Sequence, residues 1–231
     1  MVKLMPDYLS NVRNGYRRLR NFAKRIRNQT FSRNGSGNSA LRYSPENKSS
    51  LPDRKRWGDP KSYSPLWSSR AEMASGLIPD GMSILEIGVG AGDFRKLVQG
   101  RCRYEGADLA PLEDTTLILN LETDPLPDKE YDFVVFLGVL EYIYEPENAA
   151  RKLCAAAPNV VCSYCCRLEN ASTTDVANQR GGMGWVNDFT RDEFVALFSK
   201  NGFAVQSSGI YNKADYFEQV LMHFKKTILL T

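Results

Sequence analysis

The sequence predicts an α/β protein, a doubly wound and mostly parallel sheet preceded by a basic helical arm. Three observations lead there. Short apolar runs alternate along the chain with segments of helical spacing, the pattern that lays strands side by side and covers them with helices. One run, Ser83-Ile-Leu-Glu-Ile87, passes directly into Gly88-Val-Gly90-Ala-Gly92-Asp93, a strand followed by a glycine turn and a helix start. Residues 1–61 carry 15 Lys and Arg against four acidic residues, a net of +11, while the remainder nets −8; the overall +3 conceals a basic arm on an acidic body.

The arm, residues 1–62, comes first in the chain. Val12, Tyr16, Leu19, Phe22, Ala23 and Ile26 recur at helical spacing, with Arg13, Arg17, Arg20, Lys24 and Arg27 on the other face. From Arg33 to Ser50 the composition shifts to Ser, Asn and Gly, which reads as a flexible linker. Three readings of the helix stay open. An apolar stripe flanked by cations suits an anionic membrane surface. An Arg-rich, acid-poor segment also suits mitochondrial targeting, although Pro6 and Asp7 sit inside it. The third is a helix that packs on the body or is partly disordered.

The body, residues 63–231, is expected to open with a helix from Leu66 to Leu77. Ile84 to Ile87 is apolar enough for a strand buried on both faces, and Phe94, Leu97 and Val98 give the next helix its core spacing. Between them, glycines permit positive φ and close backbone approach to a ligand, while the bare N–H groups of a helix start favour an anionic group. A dinucleotide fingerprint beginning at Gly88 requires glycine at position 93, where this chain has Asp93. Asp108 ends the next strand 20 positions after Gly88, where an acidic side chain can bind the hydroxyls of a ribose. Further on, a helix is expected from Glu147 to Ala157 and a strand from Val160 to Tyr164. Thr190 and Glu193 form a capping box opening a helix from Phe194 to Lys200, and strands follow at Phe203 to Ser207 and Gln219 to Phe224.

The arrangement Glu86-x-Gly88-x-Gly90-x-Gly92 resembles the first motif of the class I S-adenosylmethionine-dependent methyltransferases, and the resemblance extends over roughly residues 66–226. It implies a Rossmann-like, seven-stranded sheet whose last two strands are antiparallel, with S-adenosylmethionine as cofactor. Leu117 to Pro127 and Tyr131 to Glu141 look like the family's third and fourth strands around an acidic loop. By that resemblance Glu86, Gly88, Val89, Gly90 and Gly92 hold the methionine end of the cofactor, and Asp108 and Leu109 the ribose. Asn120 and Leu121 lie near the adenine, Leu137 and Gly138 close the pocket wall, and Val139 to Glu141 face the methyl group's side. Glu141 is the candidate general base for a hydroxyl acceptor, or alternatively a helix-start carboxylate without a proton-transfer role. Where several relatives have a metal-binding histidine after that glutamate, this chain has Tyr142, which argues against a metal.

Acceptor specificity is expected in the long connection Arg167 to Phe189, which holds Arg180, Trp185 and Asn187. An exposed tryptophan beside polar groups suits a sugar ring, and Gly184-Trp-Val-Asn-Asp-Phe-Thr190 resembles bacterial methyltransferases of polysaccharide biosynthesis. Trp185 equally suits a role in folding the loop onto the body. The expected activity is therefore methylation of a small molecule or glycan on oxygen; the alternative is an inactive cofactor-binding scaffold recruited to a membrane by the arm. The acidic body argues against nucleic acid. With 42% apolar residues in 231 the chain supports a sizeable core. No apolar stretch is long enough to span a bilayer, and the first thirty residues lack the apolar region of a secretory signal. Five cysteines point to a reducing compartment, so the expected location is the cytoplasm, at the inner face of a membrane where the arm binds. Cys162 and Cys165 fall on opposite faces of a strand and read as core rather than as metal ligands. The single histidine, His223, reads as packing or facing solvent.

Overall fold

A computed structural model describes residues 67–110, 116–171, 180, 183–214 and 216–227. The arm and its amphipathic stripe lie outside the described residues. The body is a seven-stranded sheet of strand order β3-β2-β1-β4-β5-β7-β6. Its strands are β1 (Ser83–Ile87), β2 (Arg103–Asp108), β3 (Leu117–Ile118), β4 (Phe133–Leu137), β5 (Asn159–Arg167), β6 (Phe203–Lys213) and β7 (Phe217–Lys226). Its helices are α1 (Trp67–Ser75), α2 (Asp93–Val98), α3 (Pro146–Ala156) and α4 (Arg191–Ser199), with a 3-10 turn at Leu140–Tyr142. β1 to β5 pair in parallel, while β7 runs antiparallel to both β5 and β6.

Strand alternation divides the core between the two faces. Leu85, Ile87, Val134, Phe136, Val160, Cys162 and Tyr164 pack against Ala149 and Leu153 of α3 and Phe194, Leu197 and Phe198 of α4. On the opposite face Ile84, Phe133, Val135, Leu137 and Val161 meet Ala71 and Ala74 of α1 and Phe94 and Val98 of α2. Leu97, expected in that core, is 40% exposed, because a helix of six residues presents little more than one apolar row.

The strands differ from expectation in length. The third is only two residues long and, among the described strands, pairs with β2 alone, through Ala107 and Asp108. β5 extends to Arg167 because β7 pairs with it along nine positions, from Asn159 opposite Lys225 to Arg167 opposite Phe217. β6 is an eleven-residue edge strand with only Phe203 buried, and register shifts after Val205 and Ile210 break its ladder, a device that blunts an open edge. The capping box forms as expected: Thr190 Oγ1 accepts from the Glu193 N–H at 3.3 Å, and the Thr190 N–H donates to Glu193 Oε2 at 2.7 Å. Cys162 and Cys165 are unbridged and buried on opposite sides of β5. His223 is half-buried, with Nε2 3.1 Å from Asn159 Oδ1, and burial holds its pKa below the usual value.

Candidate functional site

The strand order reverses between β1 and β4, and the crevice beyond their carboxyl ends is where ligands lie in open α/β sheets. The loop after β1 enters that crevice. Gly88, Gly90 and Gly92 all adopt positive φ, at 80°, 53° and 72°. The Gly88 N–H donates to the Ala107 carbonyl at 2.7 Å, fastening the loop to β2. Glycine is required there for a second reason, since a Cβ at 88 would collide with Val139, which follows β4. The loops after both strands thus touch at the switch point.

Asp108, at the end of β2, accepts the Gly90 N–H through Oδ2 at 3.0 Å. One carboxylate oxygen therefore shapes the glycine turn, and among the described residues Oδ1 accepts the Ala110 N–H in a long 3.5 Å contact. Leu109 beside it is half-buried. Beneath the turn, Glu86 is 2% exposed and accepts a short hydrogen bond from the Tyr104 hydroxyl. Gly106 makes room for that tyrosine and for Val89, since a Cβ at 106 would lie 2.7 Å from each. Burial pushes the Glu86 carboxyl up to about 8, against the opposing pull of the Tyr104 hydrogen bond.

The acidic loop after β3 satisfies itself. Asn120 Oδ1 accepts from the Glu122 N–H at 3.1 Å, and the Asn120 N–H donates to Asp124 Oδ2 at 2.8 Å. Lys152 of α3 ties the loop down by donating to the carbonyls of Leu121, Glu122 and Asp124. Leu121, expected near the adenine, has its side chain in the sheet core. After β4, Leu137 is likewise core, on the α1 face. Gly138 has φ 70°, and the space a Cβ would take is filled by the guanidinium of Arg70 from α1.

Glu141 is 4% exposed in the 3-10 turn. Its Oε1 accepts the Cys165 N–H at 3.0 Å and its backbone carbonyl accepts the Val186 N–H at 2.8 Å, whereas Oε2 has no hydrogen-bond partner among the described residues. Burial raises its pKa, opposed in part by the charges of Arg70 and Arg180.

Two of the three residues expected to contact an acceptor, Arg180 and Asn187, are brought together by one they were not paired with in the sequence, Tyr164 of β5. Its hydroxyl donates to Asn187 Oδ1 and accepts from Arg180 Nη2 at 2.8 Å. Arg180 is 2% exposed, and its other donors serve the carbonyls of Asn187 and Cys165 at 2.7 and 3.1 Å. Asn187 Nδ2 donates to the carbonyls of Leu140 and Ile143 at 2.7 and 3.0 Å. The polar groups of both residues are thus directed inward, to their own chain, because a buried guanidinium and amide require partners that a loop carbonyl supplies. Trp185 is half-buried and stacks on Arg180, 4.9 Å from guanidinium carbon to ring centroid. Arg70, Tyr104, Tyr164 and Tyr211 carried no local signal in the sequence. Burial pushes the hydroxyl of Tyr211, from β6, up to about 12.

A family model described as a methyltransferase domain matches residues 62–208. No curated protein matches in sequence. Among solved structures, the chain is similar to the magnesium protoporphyrin IX methyltransferase of Synechocystis PCC 6803 with bound SAH. There the identity is 14% and the TM-score 0.55, over 75% of this chain and 92% of that one. The cyclase SpnF is similar at 11% identity and TM-score 0.56, over 70% and 81%. The mitomycin 7-O-methyltransferase MmcR is similar at 16% identity and TM-score 0.51, over 73% and 56%. At these identities the likeness is one of fold.

Proposed function

The chain belongs to the methyltransferase domain family, and from that premise we propose that it transfers the methyl group of S-adenosylmethionine to an oxygen of a small-molecule or glycan acceptor. It is an S-adenosylmethionine-dependent methyltransferase by family and fold. The observation that carries the reading is the glycine turn at the switch point, fastened to Asp108 and lying over a buried Glu86. Its donor set fits the cofactor. Asp108 retains acceptor capacity for a ribose diol, Glu86 is a carboxylate for an ammonium, and the positive-φ turn exposes backbone to the chain between them.

When bound, the cofactor supplies an electrophilic methyl carbon on a sulfonium leaving group. What remains for the chain is to position an acceptor atom in line and to exclude water. Asn187 and Arg180 do this indirectly by clamping the 183–190 segment to Tyr164, so that Trp185 holds one orientation for a sugar or other ring. Glu141 Oε2, the unpartnered oxygen, takes the proton of an acceptor hydroxyl; burial makes that carboxylate a stronger base once ionised. The basic arm directs the enzyme to an anionic membrane, where lipid-linked glycans would be its acceptors.

The test is methyl transfer from labelled S-adenosylmethionine across a panel of sugar nucleotides, lipid-linked glycans and small phenols. Glu141→Gln should lower kcat about 10²- to 10⁴-fold with cofactor affinity unchanged. Glutamine still accepts the Cys165 N–H, so an unaltered kcat would assign Glu141 a packing role. Cofactor binding with no transfer to any acceptor would favour the scaffold alternative.

A further inference from the structure

Glu141 and Arg180 are a carboxylate and a guanidinium removed from water, 4% and 2% exposed. They grip the same residue of β5. Glu141 Oε1 accepts the Cys165 N–H at 3.0 Å, and Arg180 Nη1 donates to the Cys165 carbonyl at 3.1 Å. The other donors of Arg180 go to neutral acceptors, the Asn187 carbonyl through Nε at 2.7 Å and the Tyr164 hydroxyl through Nη2 at 2.8 Å. Among the described residues no ion pair includes Arg180. A guanidinium stays charged when buried, so a nearby opposite charge is needed to offset its lost hydration.

Burial raises the Glu141 pKa, and the charges that oppose the rise are those of Arg70 from α1 and of Arg180. The other titratable groups that act with it are Tyr211 of β6 and Cys162, Tyr164, Cys165 and Cys166 of β5, all pushed up by burial and hence neutral at physiological pH. Arg70 also lowers Glu86, whereas Arg180 is fastened to the residue that Glu141 holds. We propose that Arg180 is a positioning residue whose charge, held across Cys165, keeps Glu141 ionised so that Oε2 can take the proton of the acceptor. The guanidinium that fastens the 183–190 segment thus also sets the charge of the base, and the acceptor wall and the proton acceptor form one unit. This inference rests on the reading of Glu141 as the base given above.

The test is a pH titration of the full chain read in two ways. Carboxyl NMR of protein carrying isotope-labelled glutamate follows Glu141 without ligand, its signal assigned by absence in Glu141→Gln. The pH profile of kcat follows the same group in turnover. Arg180→Gln keeps amide donors but removes the charge, so both midpoints should rise by about one pH unit, and turnover should be lost from the acid side first. Arg180→Lys keeps the charge without the fork; turnover should fall as the segment loosens, with the midpoints unmoved. Tyr164→Phe removes one contact of the guanidinium and none of its charge, and it too should leave the midpoints in place, a check that does not depend on the Gln variant folding. An unmoved NMR midpoint in Arg180→Gln, an equal rise in the Gln and Lys variants, or a rise in Tyr164→Phe overturns the assignment and leaves Arg180 as a clamp. Full kcat in Glu141→Gln rejects the base instead, while the NMR titration still decides whether Arg180 holds the carboxylate ionised.

Discussion

Glu86 is a carboxylate kept from water at the end of a strand and held by one tyrosine hydroxyl. With its folded pKa raised from 4.5 to about 8, the folded state retains a proton that the unfolded chain has released over that interval. Its contribution to stability is therefore full below about 4.5 and is lost as pH rises through about 8. Thermal melts of the ligand-free protein should show this decline, and Glu86→Gln should flatten it relative to the native chain; parallel curves would place the charge elsewhere. Asp108→Ala removes the acceptor of the Gly90 N–H and the side chain proposed to bind the ribose, so cofactor affinity should fall by about 1.5–3 kcal/mol. Calorimetry reads that loss directly. Glu86, the three glycines and Asp108 were legible because strand, turn and acid are consecutive or at fixed spacing, and that local chemistry survives in any tertiary context. Arg180 and Asn187 were not. A polar residue in a long connection reads as ligand-facing, yet their partners are Tyr164 and loop carbonyls brought together only by the closed sheet. Arg70 was hidden for the same reason, its neighbours being a glycine 68 positions later and a tyrosine on the edge strand.

At the scale of elements, α4 owes its start to the reciprocal bonds of Thr190 and Glu193. Thr190→Ala should cost about 1 kcal/mol, and in a protein of this size it should lower Tm by about 2–4 °C. A scanning-calorimetry shift near zero would mean that Phe194 and Phe198 packing alone holds the helix. The cap also closes the 183–190 segment, since Phe189 immediately before it donates its N–H to the Tyr164 hydroxyl at 3.2 Å. Trp185→Ala tests that segment from the other end. Turnover should drop while cofactor affinity stays nearly constant, because the glycine turn belongs to β1 and the tryptophan to the connection after β5. Proportional losses of both would assign Trp185 to folding. Helices and interior strands were readable from apolar spacing and caps, whereas strand ends were not. The extra length of β5 and β7 is a property of their mutual register, and β6 lacks the apolar alternation that marks a buried strand.

For the whole molecule, a body of net −8 attached to an arm of net +11 is a charge dipole along the sequence. If the arm seeks an anionic leaflet, the full chain should bind vesicles containing phosphatidylserine and a chain beginning near Tyr63 should not, each Lys or Arg near the surface contributing about 1 kcal/mol. Replacing Phe22 and Ile26 by Ser keeps the charge and removes the stripe. Weakened sedimentation with vesicles would show insertion, and absence of binding by the full chain would reject the membrane. The sheet carries its own asymmetry in time. Of the described strands β7 is the last in sequence, yet it lies inside the sheet, and β6, made before it, joins the sheet through it. A chain emerging from the ribosome can assemble β1 to β5 in order but must leave the long flank of β5 open until the final hairpin has been synthesised. That hairpin zips locally and then docks along nine positions. The unpaired edge of β5 is thus the surface a chaperone would meet during synthesis, and a stop codon anywhere before β7 would leave it exposed for the life of the fragment.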